Sequence, residues 1–146
     1  MNNPNKANGV SVQLVEWKDA GGQLQQIRQA VFIQEQQVPE ELEWDGLDER
    51  AFHLLAIDPS GNPIGGARLL PPGHIGRMAV IKEWRGHGVG RMLLTAAISY
   101  CRDHGWQVLR LSAQTHAIPF YSRAGFVVCS EEYLDAGIPH RDMRLS

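Results

Sequence analysis

Arg85-Gly86-His87-Gly88-Val89-Gly90 is the stretch of this chain whose residue types and spacing point most directly to chemistry. Glycines at positions 86, 88 and 90 let the backbone come close to a ligand, and the turn stands between an apolar run and a helical pattern that begins at Val89. The first amides of a helix lack intrahelical partners and point outward with the positive end of the dipole, so the turn reads as an anion site suited to a diphosphate. Arg85 and Arg91 can add charge-assisted hydrogen bonds to phosphate oxygens. Two better-known glycine loops do not fit: no Gly-Lys-Ser or Gly-Lys-Thr follows, and Arg91 stands where a dinucleotide fingerprint needs its last glycine.

Met78-Ala79-Val80, then Arg85 to Gly90, then a helix, resembles motif A of the GCN5-related N-acetyltransferases (GNAT), whose pattern is Gln/Arg-x-x-Gly-x-Gly/Ala. Downstream, Ala117-Ile118-Pro119-Phe120-Tyr121-Ser122-Arg123-Ala124-Gly125-Phe126 resembles the A-x-x-F-Y-x-x-x-G-F segment of the same family. Two motifs in the right order and spacing are far more specific than either one. Val31 to Asp45, with Glu35-Gln36 and Pro39, and Tyr133 to His140, with Gly137-Ile138-Pro139-His140, are similar to the ElaA-like branch. The asparagine that the family often carries before the Ala-x-x-Phe-Tyr helix is replaced here by the neighbourhood Gln114, Thr115 and His116.

The resemblance implies an α+β (mixed α/β) fold, a mixed central sheet flanked by helices, with two parallel strands splayed around a pantetheine arm. It implies acetyl-CoA as the acyl-donor cosubstrate, no metal, and direct transfer to a primary amine through a tetrahedral intermediate. Carried over residue by residue, Met78, Ala79 and Val80 would offer backbone groups to the arm. Gly86, His87, Gly88, Val89 and Gly90 would surround the diphosphate, with Arg85 and Arg91 beside it and Phe120 packed along the arm. A backbone amide near Val80 would serve the developing oxyanion. Tyr121 is the candidate acid for the departing thiolate, its hydroxyl at a pKa of about 10 standing near a thiol at about 8.5. For the base and the acceptor side the resemblance leaves Glu35, Glu43, Asp45 and His140 open. A non-catalytic acyl-CoA-binding or regulatory module is the competing reading.

Charge and composition narrow the partners. From Glu35 to Glu49 there are seven acids and no Lys or Arg, whereas Arg77, Lys82, Arg85 and Arg91 face a single acid, Glu83, in the next charged segment. Such opposed segments suit a protein that holds a polyanion on one side and a cation on the other. A net charge of -2 argues against a nucleic-acid binder. No run approaches the roughly 20 apolar residues of a membrane span, so the expectation is a soluble, cytoplasmic protein acting on a small-molecule or peptide amine, with room for a homodimer. Cys101 and Cys129 lie outside any C-x-x-C or metal spacing and read as half-buried reduced thiols. Cys101 lies on an apolar helix face and Cys129 follows Val127-Val128, so neither suits an acyl-carrying nucleophile.

The elements that must position these residues follow from periodicity. Val89, Leu93, Ala96, Ala97, Tyr100 and Cys101 share one helical face and His104-Gly105 stops it, which predicts a helix from Val89 to His104. A second helix is expected over Gln23 to Val38, ended by Pro39, and a short one over His116 to Ala124. Strands are expected at Val12 to Trp17, His53 to Ile57, Ile64 to Leu70, His74 to Ile81, Val108 to Ala113 and Phe126 to Cys129, with Asp58 to Pro63 turning a hairpin. Strands on both sides of the Val89 helix imply a crossover between parallel neighbours. His53 and His74 read as core or edge histidines. With 146 residues the chain suits one domain over residues 10–146, preceded by a loose polar tail at residues 1–9.

Overall fold

Helix α3 (Val89–Asp103) forms where the apolar period predicts it, and burying its face organises the core. The computed structural model describes residues 6, 7 and 9–146. Val89, Leu93, Ala97 and Cys101 are buried as expected, and Met92 and Leu94 join them, so the face is wider than the sequence suggests. Strands β3 (Phe52–Ile57), β4 (Pro63–Leu70) and β5 (His74–Val80) follow as an antiparallel meander. In the turn between β3 and β4, Asp58 Oδ1 accepts from the amides of Ser60 and Asn62. A Cβ added to Gly65 would stand 3.1 Å from Leu93, and one on Gly66 would stand 2.9 Å from Leu24 of helix α1 (Trp17–Arg28). Neighbouring strand residues point to opposite faces, so α3 and α1 pack on the two sides of β4.

Among the described residues nine strands form one mixed sheet, in the order β1 (Lys6–Ala7), β2 (Val10–Val15), β3, β4, β5, β6 (Leu109–Gln114), β9 (Ile138–Leu145) and β7 (Val127–Val128), with β8 (Tyr133–Asp135) pairing β9. Only β5 and β6 run parallel, joined by α3 as the crossover requires. Leu24, Ile27 and Val31 press onto Leu55 and Ala79 on one face; Leu93, Leu109, Leu111 and Met143 fill the other. Full burial of each such aliphatic side chain contributes about 1.5–3 kcal/mol.

Several expectations are corrected. Lys6–Ala7 pairs with Val10 and Ser11 in a short hairpin where a loose tail was expected; the remainder of that tail, residues 1–5 and 8, lies outside the described residues. Helix α1 starts at Trp17, six residues before Gln23, and its first turn packs the Trp17 indole over Gly21, where an added Cβ would stand 3.1 Å from the ring. Beyond Arg28 the chain widens into a π-helical stretch, Gln29–Glu35, and a short helix α2 (Glu40–Glu43) follows Pro39. The predicted helix over His116 to Ala124 is a 3-10 turn, Thr115–Ala117, running into α4 (Ile118–Arg123). Cys101 is wholly buried and Cys129 exposed, neither being half-buried. Strands β8 and β9 occupy a C-terminal region that periodicity did not assign.

Candidate active site

Strands β5 and β6 touch at their starts, His74 opposite Arg110, and part beyond them. The gap opens into a cavity of about 510 Å3 lined on one side by Gly76 to Val80 and on the other by Ser112, Gln114, Tyr121, Asp135 and His140. Two irregularities shape the β5 wall. The β4–β5 register slips between Gly66 and Arg68, and Arg77 sits at φ 48, left-handed backbone that non-glycine residues seldom adopt. Ile81 donates to Ile64 O at 2.9 Å, so by strand alternation Ala79 also faces β4, while Met78 and Val80 turn their N–H and C=O groups into the gap. Of the three residues assigned to the pantetheine arm, Met78 and Val80 therefore present backbone polar groups, and Ala79 contributes only its contact with the cavity wall. Across the gap, Gln114 Nε2 donates to Gln36 Oε1 at 2.8 Å and Gln36 Nε2 returns a longer bond of 3.4 Å, tying the end of β6 to the end of the π-helical stretch.

The glycine turn lies beyond Val80. Gly86 and Gly88 adopt φ 79 and 84, which glycine tolerates at little cost, and a Cβ at either would meet nothing within 4 Å. Space in front of these residues is thus open, and a side chain would project into it. Gly88 is the N-cap of α3, whose leading amides carry the positive end of a 15-residue helix. Val89 is buried and serves the core; at Gly90 the backbone lies beside the Phe120 ring, which an added Cβ would approach to 3.4 Å. His87 meets Trp84 edge-on at 5.4 Å, and Arg91 is exposed on the first turn of α3. Arg85 is committed elsewhere: Nε donates to Val80 O at 3.0 Å, and its two terminal nitrogens bind both oxygens of Glu35 at 2.9 and 2.7 Å. The open glycine backbone, the helix terminus and the splayed strand edge fit a diphosphate joined to an extended amide-bearing arm.

The acidic segment is arranged differently from the sequence expectation. Glu43 lies 2.7 Å from Arg28 Nε and 3.0 Å from Arg77 Nε, the latter an ionic contact too oblique for a hydrogen bond. Asp45 takes both terminal nitrogens of Arg68 at 2.8 and 2.9 Å and Arg77 Nη2 at 3.2 Å. Asp48 bridges Arg28 at 2.7 Å and Arg68 at 3.3 Å, and its carbonyl accepts from His53 Nε2 at 2.9 Å. Trp17 and Trp44 lie over the Arg28 guanidinium at 5.6 and 5.0 Å. Burial pushes Glu43 above the ordinary carboxylate range in spite of Arg77 and Arg28 beside it. Burial would raise Asp45 as well, but hydrogen bonds from Arg68 and from the Leu47 amide carry it down to about 2. Burial also lowers His53, keeping it a neutral core histidine. Glu43 and Asp45 line the cavity with their charges already matched; Glu35 does not line it. The acidic and basic segments that suggested two separate ligands instead grip each other through Arg77 and Arg85.

Tyr121 comes from the second motif and lines the cavity on the β6 side, its hydroxyl 3.9 Å from Met78 Sδ. Burial pushes this hydroxyl up to about 12, so it holds its proton throughout the neutral and mildly alkaline range. Phe120 packs edge-to-face against it at 5.0 Å. His140 is buried and lines the same cavity; its Nδ1 stands 2.7 Å from Ile138 O, which can only accept, so the neutral ring keeps Nε2 as its acceptor. His74 lies at the cavity edge. Burial raises the Cys101 thiol to about 11, which removes it as a nucleophile. Sequence reasoning missed Asp135, Arg77 and the Tyr133 hydroxyl, which donates to Asp142 Oδ1 at 2.5 Å and also meets Ser112 Oγ. Tyr133 and Asp135 lie inside the segment similar to the ElaA-like branch, but nothing local singles out these side chains or Arg77, because strand pairing sets their neighbours. Among the described residues no group of His, Cys, Asp and Glu has metal-binding spacing, and no helix is long and apolar enough to cross a membrane.

The splayed sheet and its glycine turn define an acyl-CoA N-acyltransferase fold. In the comparison with family models, residues 13–146 match the acetyltransferase (GNAT) domain. The uncharacterized N-acetyltransferase YjcF of Bacillus subtilis is 40% identical over 121 residues, covering 80% of this chain and 86% of that protein. Protein ElaA of Escherichia coli is 32% identical over 148 residues, covering 89% and 95%. A crystal structure of an acyl-CoA N-acyltransferase from Pseudomonas aeruginosa superposes with a TM-score of 0.85 at 33% identity, over 94% of this chain and 99% of that one. The chain belongs to the GNAT family, as an ElaA-like member, and is an acyltransferase.

Proposed function

We propose that this acyltransferase moves an acetyl group from acetyl-CoA directly to a primary amine. The observation that carries the reading is the alignment along one gap of an open glycine turn, the inward-facing backbone of Met78 and Val80, and the Tyr121 hydroxyl. Acetyl-CoA supplies the activated acyl group and a thiolate leaving group. Amides at Gly86, Gly88 and the start of α3 hold the diphosphate, and the β5 edge takes the arm as an added strand would be taken. Arg85 supports the turn by fixing the Val80 carbonyl and Glu35, in place of the direct phosphate contact expected from its charge. The Val80 amide faces the gap, where it can stabilise charge on the thioester oxygen.

Tyr121 hydrogen-bonds the departing sulfur. With its pKa at about 12 it acts mainly as a fixed donor to a thiolate, and full proton transfer is less favourable than the ordinary tyrosine value suggests. His140 is the candidate base best supported by geometry, since its Nδ1 bond to Ile138 O leaves Nε2 as the acceptor. Glu43 and Asp45 belong to the ion-pair cluster and serve the shape of the wall. The test is thiol release from acetyl-CoA with a panel of primary amines. Amine-dependent release with one acetylated product per thiol is expected; tight CoA binding with no release under any amine would replace this reading by a binding module.

A further inference from the structure

We propose that Asp135 recognises the ammonium group of the acceptor, an inference that rests on the amine-acetylation reading above. Three carboxylates line the cavity, Glu43, Asp45 and Asp135. Glu43 and Asp45 belong to a cluster in which Arg28, Arg68 and Arg77 face Glu43, Asp45 and Asp48, three charges of each sign, so that wall is neutral. Arg85, the other lining cation, is matched by Glu35. Asp135 has neither an ion pair nor a side-chain hydrogen bond among the described residues. A cationic amine entering the cavity therefore meets one uncompensated negative charge, on the side opposite the arginine cluster.

Turn formation does not explain Asp135. It opens the reverse turn Asp135–Ile138, in which Ala136 and Gly137 adopt φ 53 and 76, the paired left-handed geometry that suits a two-residue hairpin. An aspartate opening a turn commonly accepts from backbone amides just ahead of it. Asp58 does this in the β3–β4 turn, accepting from Ser60 and Asn62 at 2.9 and 2.8 Å, whereas Asp135 makes no such bond and stands exposed at the cavity wall. The hairpin that carries it is fixed: the Tyr133 hydroxyl binds Asp142 Oδ1, the Tyr133 ring stacks on His140 at 6.1 Å, and His140 binds Ile138 O. Asp135 thus stands at the end of a hairpin braced by these contacts, and a supported backbone is a requirement for a specificity group.

The experiment is steady-state kinetics of Asp135→Asn and Asp135→Glu with acetyl-CoA and spermidine, tyramine and lysinamide as acceptors, alongside CoA binding by calorimetry. For whichever acceptor the wild type uses, Asp135→Asn raises its KM tenfold or more, changes kcat less than threefold and leaves the CoA Kd unchanged; Asp135→Glu recovers most of the KM. An unchanged amine KM in Asp135→Asn, or a loss confined to kcat, overturns the assignment while the amine-acetylation reading stands. A wild-type protein that acetylates none of the three overturns the assignment for these ammonium acceptors, and absence of release with every amine of the wider panel removes the underlying reading too.

Discussion

The glycine turn and the acidic segment look equally suggestive in sequence, yet they are built on different physics. The turn exposes backbone: Gly86 and Gly88 face open space, and α3 brings unpaired amides to the same place. The acidic segment hides side chains: Glu43 and Asp48 are buried against Arg28, and Asp45 is clasped by Arg68. A backbone site is defined by residues contiguous in the chain and stays available for a ligand. A charge cluster draws its partners from several elements and, once satisfied, serves the fold.

That contrast can be broken from the fold side first. Arg28→Ala leaves Glu43 and Asp48 buried without their main partner, and loss of one member of a buried ion-pair network costs about 3–5 kcal/mol. For a chain of this size a melting point roughly 10 °C lower is expected by calorimetry. A change under about 1 kcal/mol would mean that the cluster does not hold the fold together. Gly88→Val attacks the other region. A β-branched residue at φ 84 costs about 1–3 kcal/mol of stability, while its side chain enters the open space before α3, so CoA binding weakens by about thirtyfold or more, measured by titration. Unchanged CoA affinity would separate the turn from the cofactor.

The smaller effects sharpen the same distinction. Tyr121→Phe removes a hydroxyl whose hydrogen-bond partner among the described residues is Met78 Sδ, at a long 3.9 Å, so stability stays nearly constant while kcat falls about tenfold and CoA affinity holds. Equal turnover would take Tyr121 out of the chemistry. The smallest effect concerns the cysteines. At pH 8 a thiol reagent labels exposed Cys129 and spares Cys101, whose buried thiol sits at about 11. Cys129→Ser abolishes the labelling and keeps full activity; lost activity would reopen a cysteine-borne acyl group.

What could be read in the sequence follows the same division. Helix α3 was legible because one face is buried with a regular period, β3 and β4 because they are short apolar runs, buried nearly throughout, on either side of the turn formers Asp58 to Pro63, and the glycine turn because its residues are adjacent. Strand β9 was not. Its buried residues, His140 and Met143, stand three apart because they point to opposite faces, one to the cavity and one to the core, which erases the alternation that marks a strand. The pairing of Arg28 with Glu43 and Asp48, 15 and 20 residues away, leaves no local trace, since charge runs look alike whether solvated or buried. Asp135 was passed over for a related reason: it resembles an ordinary turn former, and only the absence of a turn bond distinguishes it from Asp58.

The parting of β5 from β6 after His74 has a consequence for association. A sheet that opens in the middle has two interior edges in addition to its outer ones, and unpaired strand edges invite pairing with other chains. Here the interior edges are walled by the acidic segment on one side and by the β8–β9 hairpin on the other. On the β5 side the backbone groups of Met78 and Val80, left unpaired by β4, face this walled gap. The walls that give the cavity its shape thus also border an adhesive strand edge.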